Sequence, residues 1–249
     1  MTDVEKFVRR QVARWAARQQ LERNQQRQAR SRAGDISYGP YVLISRERGA
    51  GGHTVAELVG KRLDWQVYDR EIVDEIAKKT HVRRELIESL DEQDRGAIKD
   101  LIASMFAQEG LDETRYEYQL RQVMLALGHH GYVVIVGRGG HFILPSQFGL
   151  SARLIAPLKT RVQRIAAEQK LAFEAAQTEV DKSDRDRAEA ACHYFHNDIH
   201  NQLLYDLIIN TEAMSAKATT ETILTALHQK LGVAPTGEIG RSDSKNGAC

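Results

Sequence analysis

The chain has 249 residues, 42% of them hydrophobic, and a formal net charge of +1 at pH 7. That is enough for one well-packed α/β domain with some chain left over, and the near-neutral total carries no signal for nucleic acid. No apolar run approaches the roughly 20 residues of a membrane helix, no secretory leader is visible, and the two cysteines, Cys192 and Cys249, make no disulfide framework. A reducing cytoplasm is therefore the expected compartment.

The charge is uneven along the chain. Residues 1–35 hold nine Lys/Arg against four acids, a net +5, which leaves −4 for the remainder. Thr2 and Glu5 form a T-x-x-E capping box, and Val4, Val8, Val12 and Trp15 follow at helical spacing. The pattern predicts one long helix running into the Gln/Arg-rich segment up to Arg32 and ended by Gly34. Its apolar stripe has two readings. It packs on the body or on a second subunit, making residues 1–35 a homo-oligomer or partner surface, or it serves as a basic arm for RNA or anionic lipid. No aromatic interleaving supports a nucleic-acid arm, so nucleic acid is not the expected partner.

Beyond the arm, short β-rich runs fall at residues 41–45, 65–68, 132–136, 152–156 and 207–210. Between them lie helical patterns at residues 54–63, 71–80, 83–90, about 96–127, 159–171, 173–181, 184–204 and 219–231. Strands alternating with helices argue for a parallel sheet covered on both faces. The helical block at 71–131 is too long for a plain crossover and reads as an insertion. Residues 233–249 hold almost nothing apolar and read as a disordered tail.

Three segments carry chemistry. In Arg48-Gly49-Ala50-Gly51-Gly52-His53-Thr54 a strand runs into clustered glycines and then a helix. Such a loop aims backbone N–H groups at one point, and the helix start suits a phosphate. The second is Gly137-Arg138-Gly139-Gly140 after the 132–136 strand, where an arginine between glycines can approach an anion closely. The third is Asp184-Arg185-Asp186-Arg187, read as the opening of a helix; two arginines that close cannot share one helix face.

In this order the segments resemble the cytidylate kinase-like family of P-loop nucleoside monophosphate kinases. The resemblance spans roughly residues 41–231. It rests on Ser45-Arg46-Glu47-Arg48-Gly49-Ala50-Gly51-Gly52, the Tyr68-Asp69 pair, Gly137-Arg138-Gly139, the Asp/Arg-containing segment with Tyr194-Phe195 after it, and the Tyr-Asp-Leu-Ile-Ile-Asn-Thr run at 205–211. It implies a P-loop sheet with a helical insertion for the nucleoside monophosphate and a lid at about 159–190. It also implies ATP and Mg²⁺ as cofactors. Arg46, Arg48, Gly49, Ala50, Gly51, Gly52, His53 and Thr54 would hold ATP, with Thr54 near the magnesium. Asp69 and Arg138 would bind the acceptor. Arg138, Arg161, Arg164, Arg185 and Arg187 would surround the transferred phosphoryl group.

The implied activity is phosphorylation of a nucleoside monophosphate, CMP or dCMP. The alternatives are a catalytically weak nucleotide sensor working through its basic N-terminal helix, and a kinase for another small acceptor. The sequence departs from the family in two places. Gly52 and His53 stand where its branches place lysine and arginine, leaving the missing cation to Arg46 or Arg48. Gly139 stands where a carboxylate is found. His193, His196 and His200, at i, i+3 and i+7, share a helix face but lack the partners of a metal motif; no metal ligand set is expected.

Overall fold

A computed structural model of the chain describes residues 2–25, 38–109 and 114–234. Its centre is a five-stranded, fully parallel sheet of order β2-β3-β1-β4-β5. The strands are β1 (Tyr41–Arg46), β2 (Gln66–Tyr68), β3 (Val133–Val136), β4 (Gly149–Ile155) and β5 (Leu207–Asn210). The helices are α1 (Asp3–Gln25), α2 (Gly52–Leu63), α3 (Arg70–Lys78), α4 (Thr80–Glu88), α5 (Glu92–Glu109), α6 (Arg115–His130), α7 (Gly140–Ile143), α8 (Leu158–Gln169), α9 (Phe173–Phe195) and α10 (Ala216–Leu231).

Alternation along β1 builds the two layers, because successive side chains leave opposite faces. Val42 and Ile44 face the layer of α2 and α10, packing with Val55, Val59, Val134, Ile223 and Leu227. Tyr41 and Leu43 face α3–α6, packing with Val73, Met124, Val133 and Ile135. β1 is flanked by β3 on one side and β4 on the other. The chain thus reverses direction across the sheet at the carboxyl end of β1, where open α/β sheets bind ligands.

The N-terminal helix lies on the body. Val8 and Trp15 are buried in the core beneath α3–α6, and Trp15 stacks on His130 of α6 with ring centres 4.1 Å apart. Three of its arginines are engaged as well: Arg9 with Glu85 at 3.2 Å, Arg14 with Asp64 at 3.1 Å, and Arg18 over the Tyr132 ring at 3.8 Å. The Thr2–Glu5 capping box is formed. The expected extension to Arg32 and its stop at Gly34 lie outside the described residues, as does most of the 233–249 tail.

Three helix boundaries differ from the sequence pattern. The 96–127 stretch is two helices, with Thr114 capping α6 in a complete capping box with Glu117. The second begins where Thr114 can satisfy its free N–H groups. The 83–90 pattern starts earlier, at Thr80. The patterns at 173–181 and 184–204 merge into α9, which ends at Phe195 with His196 in the left-handed region. Lys182 and Ser183 contain no breaker, so the helix runs through them. Asp184 is therefore a mid-helix residue and no cap. No helix among the described residues is long and apolar enough to cross a membrane.

Candidate functional site

The 47–51 loop leaves β1 and feeds α2. Its N-cap is Gly51, which offers no side chain to the N–H groups of the first turn. Those groups and the positive end of the helix dipole are then free for an anion. Ala50 is buried, Gly52 is buried, and Thr54 is exposed in the first turn.

Arg46, the last residue of β1, crosses this loop. A Cβ built on Gly52 would lie 2.6 Å from Arg46 Cγ, and one built on Gly137 would lie 2.6 Å from Arg46 Nη1. The stem of Arg46 therefore occupies the side-chain space of Gly52, while its guanidinium reaches the Gly-Arg-Gly turn. Burial, then the nearby charge of Arg187, pulls its pKa down to about 10, so it remains a cation at neutral pH. Arg48 does something else. Its guanidinium binds Glu179 of α9 at 2.6 and 3.0 Å, and its backbone N–H donates to Asp184 Oδ1 at 2.8 Å. His53 points outward, 69% exposed, with Nε2 3.2 Å from Glu57. Of the two candidates for the absent cation, Arg46 alone bridges loop and pocket.

The Gly-Arg-Gly turn takes an unusual path. Gly137, Arg138 and Gly139 all have positive φ, 79°, 52° and 65°. For Arg138 that conformation costs about 1–2 kcal/mol. It is held there by Asp74 of α3, which accepts from Arg138 through Oδ2 and from Tyr116 through Oδ1 at 2.8 Å. Gly139 is required by a neighbour: an added Cβ would fall 2.3 Å from the Phe195 ring. Phe195 stacks on Phe142 with centres 4.9 Å apart. The Phe195 ring thus fills the place where a side chain on residue 139 would stand.

Together these residues enclose a cavity of about 140 Å³. Arg46, Arg70, Arg138 and Arg187 supply four guanidinium groups to its wall, with Tyr116, His141, Tyr194 and Phe195 as the main ring contributors. So dense a set of cations suits a ligand with a phosphate.

Two of the remaining predicted arginines, Arg161 and Arg164, sit behind the loop. Arg161, 8% exposed, donates to the Ala156 carbonyl at 2.8 Å and the Arg48 carbonyl at 3.2 Å, and pairs with Glu47 and Asp184. Arg164 donates to the Gly49 carbonyl at 3.4 Å and to Thr211 at 2.7 and 3.1 Å. Both brace the phosphate loop from outside the cavity. Arg187 binds Asp184 at 3.0 Å and faces the cavity. Arg185, two positions away on the same helix, is exposed and outside the cavity wall. Asp69 caps α3 through a 2.9 Å bond from the Ile72 N–H, and its neighbour Arg70 lines the cavity instead.

Sequence reasoning passed over Arg70, Asp74, Tyr116 and His141. Arg70 and His141 directly adjoin motifs that were read, so a residue or two of extension would have found them. Asp74 and Tyr116 carry no local signal; folding of the helical block brings them to Arg138. Of the histidine trio, His196 is the C-cap of α9 and His200 Nδ1 lies 3.5 Å from Arg153. Among the described residues no group of three or more His, Cys, Asp or Glu side chains converges on a metal position.

A cytidylate kinase of Sulfolobus acidocaldarius is 23% identical over 190 residues, 76% of this chain and 94% of that protein. The crystal structure of an uncharacterized protein from Eubacterium ventriosum superposes with a TM-score of 0.52 at 19% identity, over 75% of this chain and 97% of that one. A shikimate kinase from Bacteroides thetaiotaomicron gives a TM-score of 0.41 at 14% identity, over 77% and 98%. The profile of the cytidylate kinase-like family matches residues 41–213, which takes in the loop, the Gly-Arg-Gly turn, all five strands and α9. The chain has the α/β fold of the P-loop kinases and belongs to the cytidylate kinase-like family.

Proposed function

We propose that the chain transfers the γ-phosphoryl group of ATP to a nucleoside monophosphate, CMP or dCMP. The observation that carries this reading is the path of Arg46, a cation spanning from the phosphate loop to the four-arginine cavity. Phosphoryl transfer asks mainly for positioning and for positive charge around the transferred group.

In this reading the N–H groups at the start of α2 cradle the ATP phosphates. Arg46 stands between donor and acceptor and takes the role of the absent lysine. Arg138 and Arg70 bind the acceptor's phosphate, and Arg187 closes from α9. Arg161 and Arg164 act as positioning residues that fix the loop. The Thr54 hydroxyl, an exposed oxygen donor in the first turn, is of the type Mg²⁺ takes. When bound, the metal neutralises charge on the β- and γ-phosphates. The cytoplasm is the proposed compartment.

The cavity size favours one second reading. At about 140 Å³ it falls below the roughly 300 Å³ where ligand pockets usually begin. A nucleotide would therefore extend beyond it, whereas a smaller phosphorylated or acidic acceptor would not. The partner role offered to residues 1–35 draws no support from the apolar stripe of α1 or from Arg9, Arg14 and Arg18, which are already engaged on the body.

ADP formation with Mg-ATP, measured across nucleoside monophosphates and small hydroxy acids, tests these readings. Turnover with CMP that collapses in Arg138→Ala supports the first. Turnover confined to small acids replaces it with the second. ATP binding without turnover on any acceptor rejects both.

A further inference from the structure

Beneath the arginines, the cavity wall holds a buried polar network that phosphate binding leaves unused. Its centre is the Tyr205 hydroxyl, which donates its single proton to the Ile199 carbonyl at 2.8 Å. Every other contact of that oxygen must then be a bond it accepts. Arg153, 5% exposed and unable to accept, donates to it at 3.4 Å and to Ser45 Oγ at 3.1 Å. Ser45 Oγ stands 3.5 Å away. His141 Nε2 lies at 3.3 Å, so His141 must carry its proton on Nε2.

The His141 ring sits 3.9 Å from Phe142 and 4.9 Å from Tyr205, measured between ring centres. Burial, and then the charge of Arg153, holds its pKa down at about 4. At neutral pH the imidazole is uncharged, and with Nε2 protonated its Nδ1 is a hydrogen-bond acceptor. No donor among the described residues reaches Nδ1. That atom is not among the sealed, unpaired buried atoms, and the residue lines the cavity. In a wall whose charged groups are mostly arginines, which only donate, Nδ1 is a neutral atom able to receive a proton donor from the ligand.

We propose that His141 is a specificity-determining residue of the phosphoryl-acceptor site, selecting bases that turn an exocyclic amino group to Nδ1, so that an aminopyrimidine is preferred to an oxopyrimidine, which sets a carbonyl oxygen at that position and keeps its ring N–H on another edge. This rests on the reading of the cavity as the acceptor site. Tyr205 is its positioning residue, fixing the tautomer. Were Nδ1 protonated instead, the same ring would donate and the preference would reverse.

The test compares CMP and UMP, by equilibrium binding and by kcat/KM with Mg-ATP, in the wild type and three variants. His141→Phe keeps an aromatic ring between Phe142 and Tyr205 and removes the acceptor atom. It should lower the CMP/UMP ratio about 10- to 100-fold, the worth of one well-formed hydrogen bond to a buried group, with KM for ATP unchanged. His141→Asn, which can return an amide oxygen near the Nδ1 place, should recover part of the ratio. Tyr205→Phe frees the tautomer and should narrow the ratio by improving UMP.

An unchanged ratio in His141→Phe, or equal losses for both nucleotides, overturns the proposal and assigns His141 to packing. Binding of neither nucleotide by the wild type overturns it as well. His141-dependent preference in binding without turnover keeps the proposal and rejects the kinase reading alone. Thermal unfolding of each variant confirms that the comparison is between folded proteins.

Discussion

The side chain of Arg46 occupies the space that a side chain on Gly52 would need, with Cγ 2.6 Å from the ideal Cβ position. The two residues are thus alternatives. A lysine at 52 and the observed course of Arg46 exclude one another, and under the proposed function Arg46 takes the lysine's role.

This exclusion predicts a reciprocal result. Arg46→Ala should lower kcat on the order of 10²–10³-fold, the usual cost of removing one group that stabilises transition-state charge. Gly52→Lys alone should also be impaired, since it displaces Arg46 without the room its own stem needs. Combining the two should recover activity over either single variant. Steady-state kinetics on the four proteins decide it; a double variant no better than Arg46→Ala means that Arg46 does not act in the lysine's place.

A second contrast lies on α9. Arg187 faces the cavity and is held by Asp184, whereas Arg185 is exposed. Arg187→Ala should reduce kcat/KM at least tenfold, and Arg185→Ala should leave it within about twofold, as expected where a surface side chain makes no special contact. Similar losses in both would mean that α9 turns on binding substrate.

That pair also shows how far the sequence could be read. The strands were legible because β-branched runs such as Val133–Val136 stop at glycine, and the order of the short motifs was enough to select the fold. Spacing alone also said that Arg185 and Arg187 could not share a helix face. It could not say which one turns inward, because the sequence placed a helix start at Asp184. That aspartate looks like a cap but stands mid-helix, where its carboxylate binds the Arg48 N–H, Arg161 and Arg187. The course of Arg46 was equally out of reach: it is set by the glycines at 52 and 137, which lie 85 positions apart and meet only once β3 pairs with β1. The contact Asp69 makes here follows from a local rule, that a carboxylate before a helix caps it, whereas the acceptor role comes from the family resemblance alone.

The second family departure has its own counterpart. Gly139 has φ 65°, and its missing side chain makes way for the Phe195 ring. Gly139→Asp, which restores the family's carboxylate, should therefore destabilise the protein by about 2–4 kcal/mol, combining an unfavourable φ with overpacking. Adding Phe195→Ala should relieve the clash but leave the strain. Denaturant unfolding of the three variants checks this, and a neutral Gly139→Asp would show that Phe195 yields freely.

Buried histidines predict the acid side of the stability curve. His130 lies beneath Trp15 and donates through Nε2 to Ser89 Oγ at 2.8 Å, since the Ser89 hydroxyl gives its own proton to the Leu86 carbonyl. Burial, and then the charge of His129, lowers its pKa from 6.5 to about 3, and His141 is lowered to about 4. Both are bases depressed by folding, so between those values and 6.5 the unfolded chain binds more protons than the folded one. Their contribution is fully present above about pH 6.5 and is lost as pH falls below it. Carboxylates such as Glu5, lowered from 4.5 to about 2, contribute their losses below about pH 4.5. The interval from 6.5 to 4.5 therefore isolates the histidines. The melting temperature should drop steadily across it, and His130→Gln should flatten the slope while lowering stability at pH 7.5. Trp15 fluorescence reports the same unfolding, since its stack on His130 is lost when the chain unfolds. Parallel wild-type and variant slopes would mean that His130 is already charged in the folded protein.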